Sequence, residues 1–203
     1  MCMKAETKSD VPHAPRLLVE LEVRDRDGKV IQKHKQEGKS FLINFMSMIL
    51  GLFQGSSTMT FLYGVSGGSC SSSTITIPSI SDFSVQASSG NDNYGILIGS
   101  GNTPNTATQC SLETKISNST MSYGSTTVEN GLSANDSTNT VTFTITRQFT
   151  NNSGSTQTVA EVGLAINGYS TYPLIARDVL SSSVSVPNGG TLTVTYTIEL
   201  TVS

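Results

Sequence analysis

Residues 140 to 202 read TVTFTITRQFTNNSGSTQTVAEVGLAINGYSTYPLIARDVLSSSVSVPNGGTLTVTYTIELTV. Val141, Phe143, Ile145, Arg147 and Phe149 alternate here with Thr142, Thr144, Thr146 and Gln148, a period of two that turns one set toward a core and the other toward solvent. The longest alternation in the chain closes the stretch, with Leu192, Val194, Tyr196, Ile198, Leu200 and Val202 against Thr193, Thr195, Thr197, Glu199 and Thr201. Between these runs, Asn151-Asn152-Ser153-Gly154-Ser155, Asn167-Gly168 and Pro187-Asn188-Gly189-Gly190 supply turns, and residues 156 to 166, 172 to 179 and 184 to 186 supply strands. Four or five consecutive antiparallel strands follow.

Toward the N-terminus, Leu17, Val19, Leu21 and Val23 alternate as a first strand. Asp25-Arg26-Asp27-Gly28 turns the chain, and residues 30 to 36 return, carrying Lys33, His34 and Lys35 as a solvated, aggregation-resistant edge. Ser40 is placed to cap a helix over FLINFMSMILGLF, residues 41 to 53, which is apolar on most sides. At 13 residues it is too short to span a bilayer, so it is expected to be buried, against a sheet as core helix or else against another subunit. Residues 54 to 80 read as a long Gly/Ser/Thr loop with a short strand at 74 to 77. Further short strands are placed at 83 to 86 and 94 to 98, a short strand or a single turn at 112 to 116 and another at 121 to 123, and residues 125 to 139 as surface. The pattern predicts an all-β, mainly antiparallel β-sandwich of jelly-roll or immunoglobulin-like type, with one short buried helix. Residues 16 to 203 form its single domain and residues 1 to 15 an extended arm.

Charge is unevenly spread: nine of the twelve Lys and Arg precede residue 41, and only Lys115, Arg147 and Arg177 follow. Ser and Thr make up about a third of the remainder, as suits wet strand faces. A net charge of −3, with seven acids among the N-terminal bases, offers no field for nucleic acid. The first 14 residues lack the apolar core of a secretory signal, so a chain made in a cytosol is expected. Cys2, Cys70 and Cys110 are odd in number and lie at no metal-binding spacing. They are expected as free thiols in preference to a Cys70–Cys110 bridge, and neither His13 nor His34 has ligand neighbours for zinc.

The acids beyond residue 80 are isolated, mostly in turns or on outward strand positions. No histidine accompanies the strands and no GxSxG elbow occurs, so neither acid/base nor serine-nucleophile catalysis is expected, and no cofactor or metal is called for. Asn91-Asp92-Asn93 is turn chemistry before it is a calcium site, and Gly99-x-Gly101 lacks the rest of a nucleotide-binding turn. Two charged positions break the apolar pattern: Arg147 on an inward face, and Arg177-Asp178 within residues 173 to 180. They suggest a buried or interfacial ion pair, Glu161 or Asp178 with one arginine, that fixes register; snorkelling is the simpler account.

Three segments resemble β-rich structural proteins of tailed bacteriophages and related prokaryotic viruses. They are LLVELEVRDRDGKVI with KSFLINFM, the middle GILIGSGNTPNTATQCSLETKI, and FTNNSGSTQTVAEVGLAI with LIARDVLSSSVSVPNGGTLTVTYTIEL. The resemblance implies a non-enzymatic virion component, such as a capsid decoration (cement), spike or tail-associated subunit, assembled in the host cytoplasm. Its partners would be copies of itself and other virion proteins, without direct nucleic-acid or membrane contact, in a homo-oligomer. Candidate assembly residues are Val11, Pro12 and Pro15 of the arm, Phe41, Phe45 and Ile49 of the helix, and Arg147, Arg177 and Asp178. The alternative is a receptor- or glycan-binding fibre or spike module, with Tyr94, Tyr123, Tyr169 and Tyr172 as stacking platforms.

Overall fold

The structure, a computed structural model, describes residues 15–38, 41–64, 67–76, 83–168 and 171–201. Its order is β1 (Arg16–Arg24), β2 (Val30–Gly38), α1 (Ile43–Gln54), β3 (Thr58–Tyr63), β4 (Ser71–Thr76), β5 (Gly95–Gly99), β6 (Met121–Val128), β7 (Ser133–Asn135), β8 (Thr140–Asn151), β9 (Gln157–Ala165), β10 (Leu174–Val186) and β11 (Thr191–Thr201). The two most strongly alternating strands, β8 and β11, lie side by side, with Arg147 opposite Val194 and Ile145 opposite Tyr196. They centre a sheet ordered β2-β1-β11-β8-β6, with β7 also on β8. A second sheet, β10-β9-β5, faces it, and β3 and β4 form a separate hairpin. Every pairing is antiparallel, and the fold is an all-β sandwich.

The first sheet follows the period-two pattern: Leu17, Val19, Leu21, Val23, Leu192, Val194 and Tyr196 are buried while the threonines between them are not. Their wet faces carry cross-strand ion pairs, Glu22 with Lys33 at 2.8 Å and Glu20 with Lys35. The second sheet departs from the pattern. All of β5, residues 161 to 165 of β9 and residues 174 to 178 of β10 are buried, so both faces are covered. The first sheet covers one face, and α1, the hairpin and the 100–117 loop the other. Ser100 donates to the Thr114 carbonyl, Ile116 to that of Ile98, and Leu112 lies against Gly163.

One side of the sandwich is closed by side chains. On β2, Gln36 donates to the Val179 carbonyl at 3.1 Å and accepts from the Ser181 amide at 2.8 Å; Gln32 does the same with Ser183 at 3.2 Å and Ser185 at 3.0 Å. Each carboxamide thus stands in for a peptide group of a neighbouring strand along β10. β2 is the outer strand of its sheet, as expected, and its Lys33 and Lys35 face solvent, while His34 is half-buried beside Leu21 and contacts Gln36.

Several expectations are corrected. The 54–80 loop contains β3, in which Met59 and Phe61 are buried; residues 83 to 86 and 112 to 116 form no strand; and residues 174 to 186 are one strand with a register shift between Val179 and Val184. The helix begins at Ile43 without a side-chain cap; the Ile43 amide donates to the Ala107 carbonyl instead, and Ser40 lies outside the described residues. Nor is α1 buried. Only Asn44 and Gly51 are, while Ile43, Met46, Leu50, Leu52 and Phe53 are exposed. Cys70 and Cys110 are bridged, with Cα atoms 5.8 Å apart, where free thiols were expected. The spacing of the two cysteines was uninformative because the bridge joins elements 40 residues apart that meet only through the hairpin's packing.

Candidate functional site

Arg147 projects from β8 into the sandwich and is 1% exposed. Among the described residues it has no acidic partner within ion-pair distance; its guanidinium donates to five backbone carbonyls, those of Gly124 at 2.8 Å, Ile96 at 2.9 Å, Tyr94 at 3.0 Å, Ser88 at 3.4 Å and Asn91. Its centre lies 4.7 Å from the Tyr123 ring. A planar fork of five donors suits this task, because one side chain then satisfies the irregular 88–96 segment, the bulge of β6 and the start of β5. Burial lowers its pKa to about 10, which still leaves it charged at neutral pH.

Arg177 and Glu161 form the expected ion pair, at 2.7 Å and fully buried on both sides. Glu161 also accepts from the amides of Thr114 at 2.8 Å, Glu113 at 3.1 Å and Gly101 at 3.2 Å. Arg177 reaches the Thr103 carbonyl at 3.0 Å and the Glu113 carboxylate at 3.8 Å. Gly99 and Gly101 are required here, since a Cβ on either would collide with the Glu161 carboxylate. The Thr103 hydroxyl first, and then its amide, hold the Glu113 carboxyl below its usual range. Asp178, next along β10, turns to the other face, toward Tyr196; burial first, and then the Asp178 charge, push that phenol well above its ordinary pKa. Glu161 is buried because that side of β9 is roofed by the 100–114 loop rather than by water.

The predicted residues therefore separate. Arg147, Arg177 and Asp178 are interior. Phe41 is half-buried, bridges to Ala176 and stacks on Phe45 with centroids 4.1 Å apart, and Ile49 is half-buried on the helix flank. Pro15 is exposed just before β1, while Val11 and Pro12 lie outside the described residues. Of the tyrosines, Tyr123 is 1% exposed and cannot be a platform, Tyr169 is outside the described residues, and Tyr94 and Tyr172 stack on each other at 5.8 Å. Tyr172 borders a cleft of about 450 Å³ lined also by Tyr63, Asn93, Lys115 and the Cys110 bridge. Asn91-Asp92-Asn93 is a turn: Asn91 accepts from the Asn93 amide at 2.9 Å, and Asp92 accepts from the Asn118 amide and pairs with Lys115 at 3.4 Å. Among the described residues no group of three or more His, Cys, Asp or Glu could hold a metal ion, and no helix is long and apolar enough to cross a membrane.

The outer face of α1, the surface a subunit-contact helix would use, carries other residues than the Phe41, Phe45 and Ile49 named from the sequence. Ile43, Met46, Leu50 and Phe53, 42, 62, 57 and 88% exposed, follow one another at intervals of three, four and three residues along one stripe. The signal was present, since the helix is apolar on more sides than a single sheet contact can cover. Asn44 fixes the helix from behind, donating to the carbonyls of Leu62 at 2.7 Å and Leu174 at 3.0 Å and accepting from the Leu62 amide at 2.8 Å. Gly51 lets the helix approach β3 so closely that a Cβ would collide with Met59. No family model, curated protein or solved structure matches the chain.

Proposed function

We propose that this chain is a structural subunit of a virus particle, a capsid decoration (cement), spike or tail-associated protein that works by repetitive assembly and catalyses no reaction. The observation that carries the reading is the rigidly held helix α1, which presents a row of large apolar side chains to the outside. An exposed apolar patch of this kind is often a contact surface for a partner. Support also comes from the use made of the buried charges: Arg147 spends its hydrogen bonds on backbone carbonyls, and Glu161 divides its own between backbone amides and Arg177. The resemblance to prokaryotic-virus structural proteins, with their jelly-roll or immunoglobulin-like sandwiches, supplies the virion setting. Partners are copies of itself and neighbouring capsid or tail proteins, tied in part through the arm that holds Val11, Pro12 and Pro15. A disulfide suits a particle that persists in oxidising surroundings outside a cell. Electron microscopy of purified particles, with peptide mass spectrometry, tests the proposal. Density for this sandwich in a fixed number of symmetry-related copies is the expected result; absence of the chain from the particles overturns it.

Receptor or glycan binding is favoured by one observation, the cleft beside Tyr172 with Asn93 and Lys115 on its wall. Binding of the isolated protein on a glycan array, lost on Tyr172→Ala, would move the reading there.

A further inference from the structure

The geometry points to α1 as a self-association helix that packs against α1 of a second copy in an antiparallel pair. This rests on the assembly reading and narrows it to one surface and one partner. The intervals separating Ile43, Met46, Leu50 and Phe53 are those of the a and d positions of a heptad, the spacing at which one helix inserts its side chains between those of another. The row is presented ready for docking. Asn44 and Gly51 hold the opposite side of the helix, the Leu42 amide bonds the Ile175 carbonyl at 2.8 Å, and Gly55 ends the helix in the left-handed conformation at φ 60°. The helix backbone needs no rearrangement on binding, and the ordering cost that remains is the rotamer freedom of the exposed side chains.

Charge selects the partner. Residues 41 to 81 contain no Lys, Arg, Asp or Glu, so the helix has nothing to offer a charged peptide and lacks the charged face by which helices lie on membranes. A neutral apolar row is, by contrast, complementary to itself about a two-fold axis. Antiparallel packing opposes the helix dipoles favourably and sets Met46 of one copy against Leu50 of the other, and Ile43 against Phe53. At the observed exposures the four side chains leave on the order of 500 Å² of apolar surface per copy. Two copies together cover about 1,000 Å², the lower limit for a specific interface.

The test is the oligomeric state of the oxidised full chain by analytical ultracentrifugation. The expected result is a reversible dimer of the wild type. Met46→Glu and Leu50→Lys each bury an unpaired charge, so each raises the dissociation constant about 100-fold or more with an unchanged circular dichroism spectrum. Mixing the two variants restores a heterodimer, because the new carboxylate and ammonium then meet across the axis. A monomeric wild type overturns the inference, whether the row is covered by the chain's own N-terminal residues or binds neutral phosphatidylcholine vesicles in a flotation assay. So does a dimer that both variants leave intact, or a mixture that fails to re-form one. Dimers that never enter particles would refute the virion reading and leave this one standing; a wild type that is monomeric in solution yet present in particles would do the reverse.

Discussion

Arg147 is the residue on which the interior depends most. Removing its guanidinium leaves five carbonyls without their donor, that of Ile96 fully buried and the others partly so, and the cost is that of several orphaned acceptors rather than of one lost hydrogen bond. Arg147→Met should therefore lower unfolding free energy by about 3–5 kcal/mol in urea titrations. Arg147→Lys should recover only part of this, because an ammonium with three donors cannot span the fork. A loss below about 1 kcal/mol for the Met variant would show that the carbonyls find other donors. An arginine on an apolar strand face was visible in the sequence as an anomaly, yet its partners were not: backbone carbonyls of an irregular loop leave no trace in side-chain pattern. The Arg177–Glu161 pair was legible because both partners are charged side chains. Its role as an anchor for the 101–114 backbone was not.

Among the elements, the contact of β2 with β10 is the least expected. Strands normally meet through a ladder; here two glutamines four residues apart supply four hydrogen bonds to carbonyls and amides of β10. The bulge between Val179 and Val184 lets the strand turn its free edge toward them. Gln36→Ala should cost about 1–3 kcal/mol and speed hydrogen exchange at the Ser181 amide, and Gln32→Ala should do the same at Ser185. Unchanged exchange at both amides would mean that water replaces the glutamines without loss. The sequence announced elements whose one face is wet, such as β1, β8 and β11, because contrast between faces is what periodicity records. It under-reported β3, whose Thr58-Met59-Thr60-Phe61 alternation lies within a Ser/Gly-rich context, and left open whether α1 is covered by a sheet or by another subunit, because uniform apolarity does not say which.

At the scale of the whole molecule there are three layers, and they are not held equally. The two facing sheets share one continuous core, whereas among the described residues the β3–β4 hairpin adds Met59, Phe61 and Ile75 to it and is fastened further by Asn44, by the Gly67 amide on the Leu112 carbonyl and by the Cys70–Cys110 bridge. The hairpin also supports α1, so the stiffness of the apolar row depends on the least securely fastened part of the fold. Cross-linking over 40 residues limits the unfolded chain by about 4 kcal/mol in the loop-entropy account. If the hairpin opened only together with the sheets, Cys70→Ser/Cys110→Ser would lower global stability by that amount and expose nothing selectively. The separate packing argues for the other outcome: smaller global loss, with protection in limited proteolysis disappearing first between residues 58 and 76 while the β1, β8 and β11 amides stay slow to exchange. Cleavage spread evenly over the chain would show instead that hairpin and sandwich unfold as one unit.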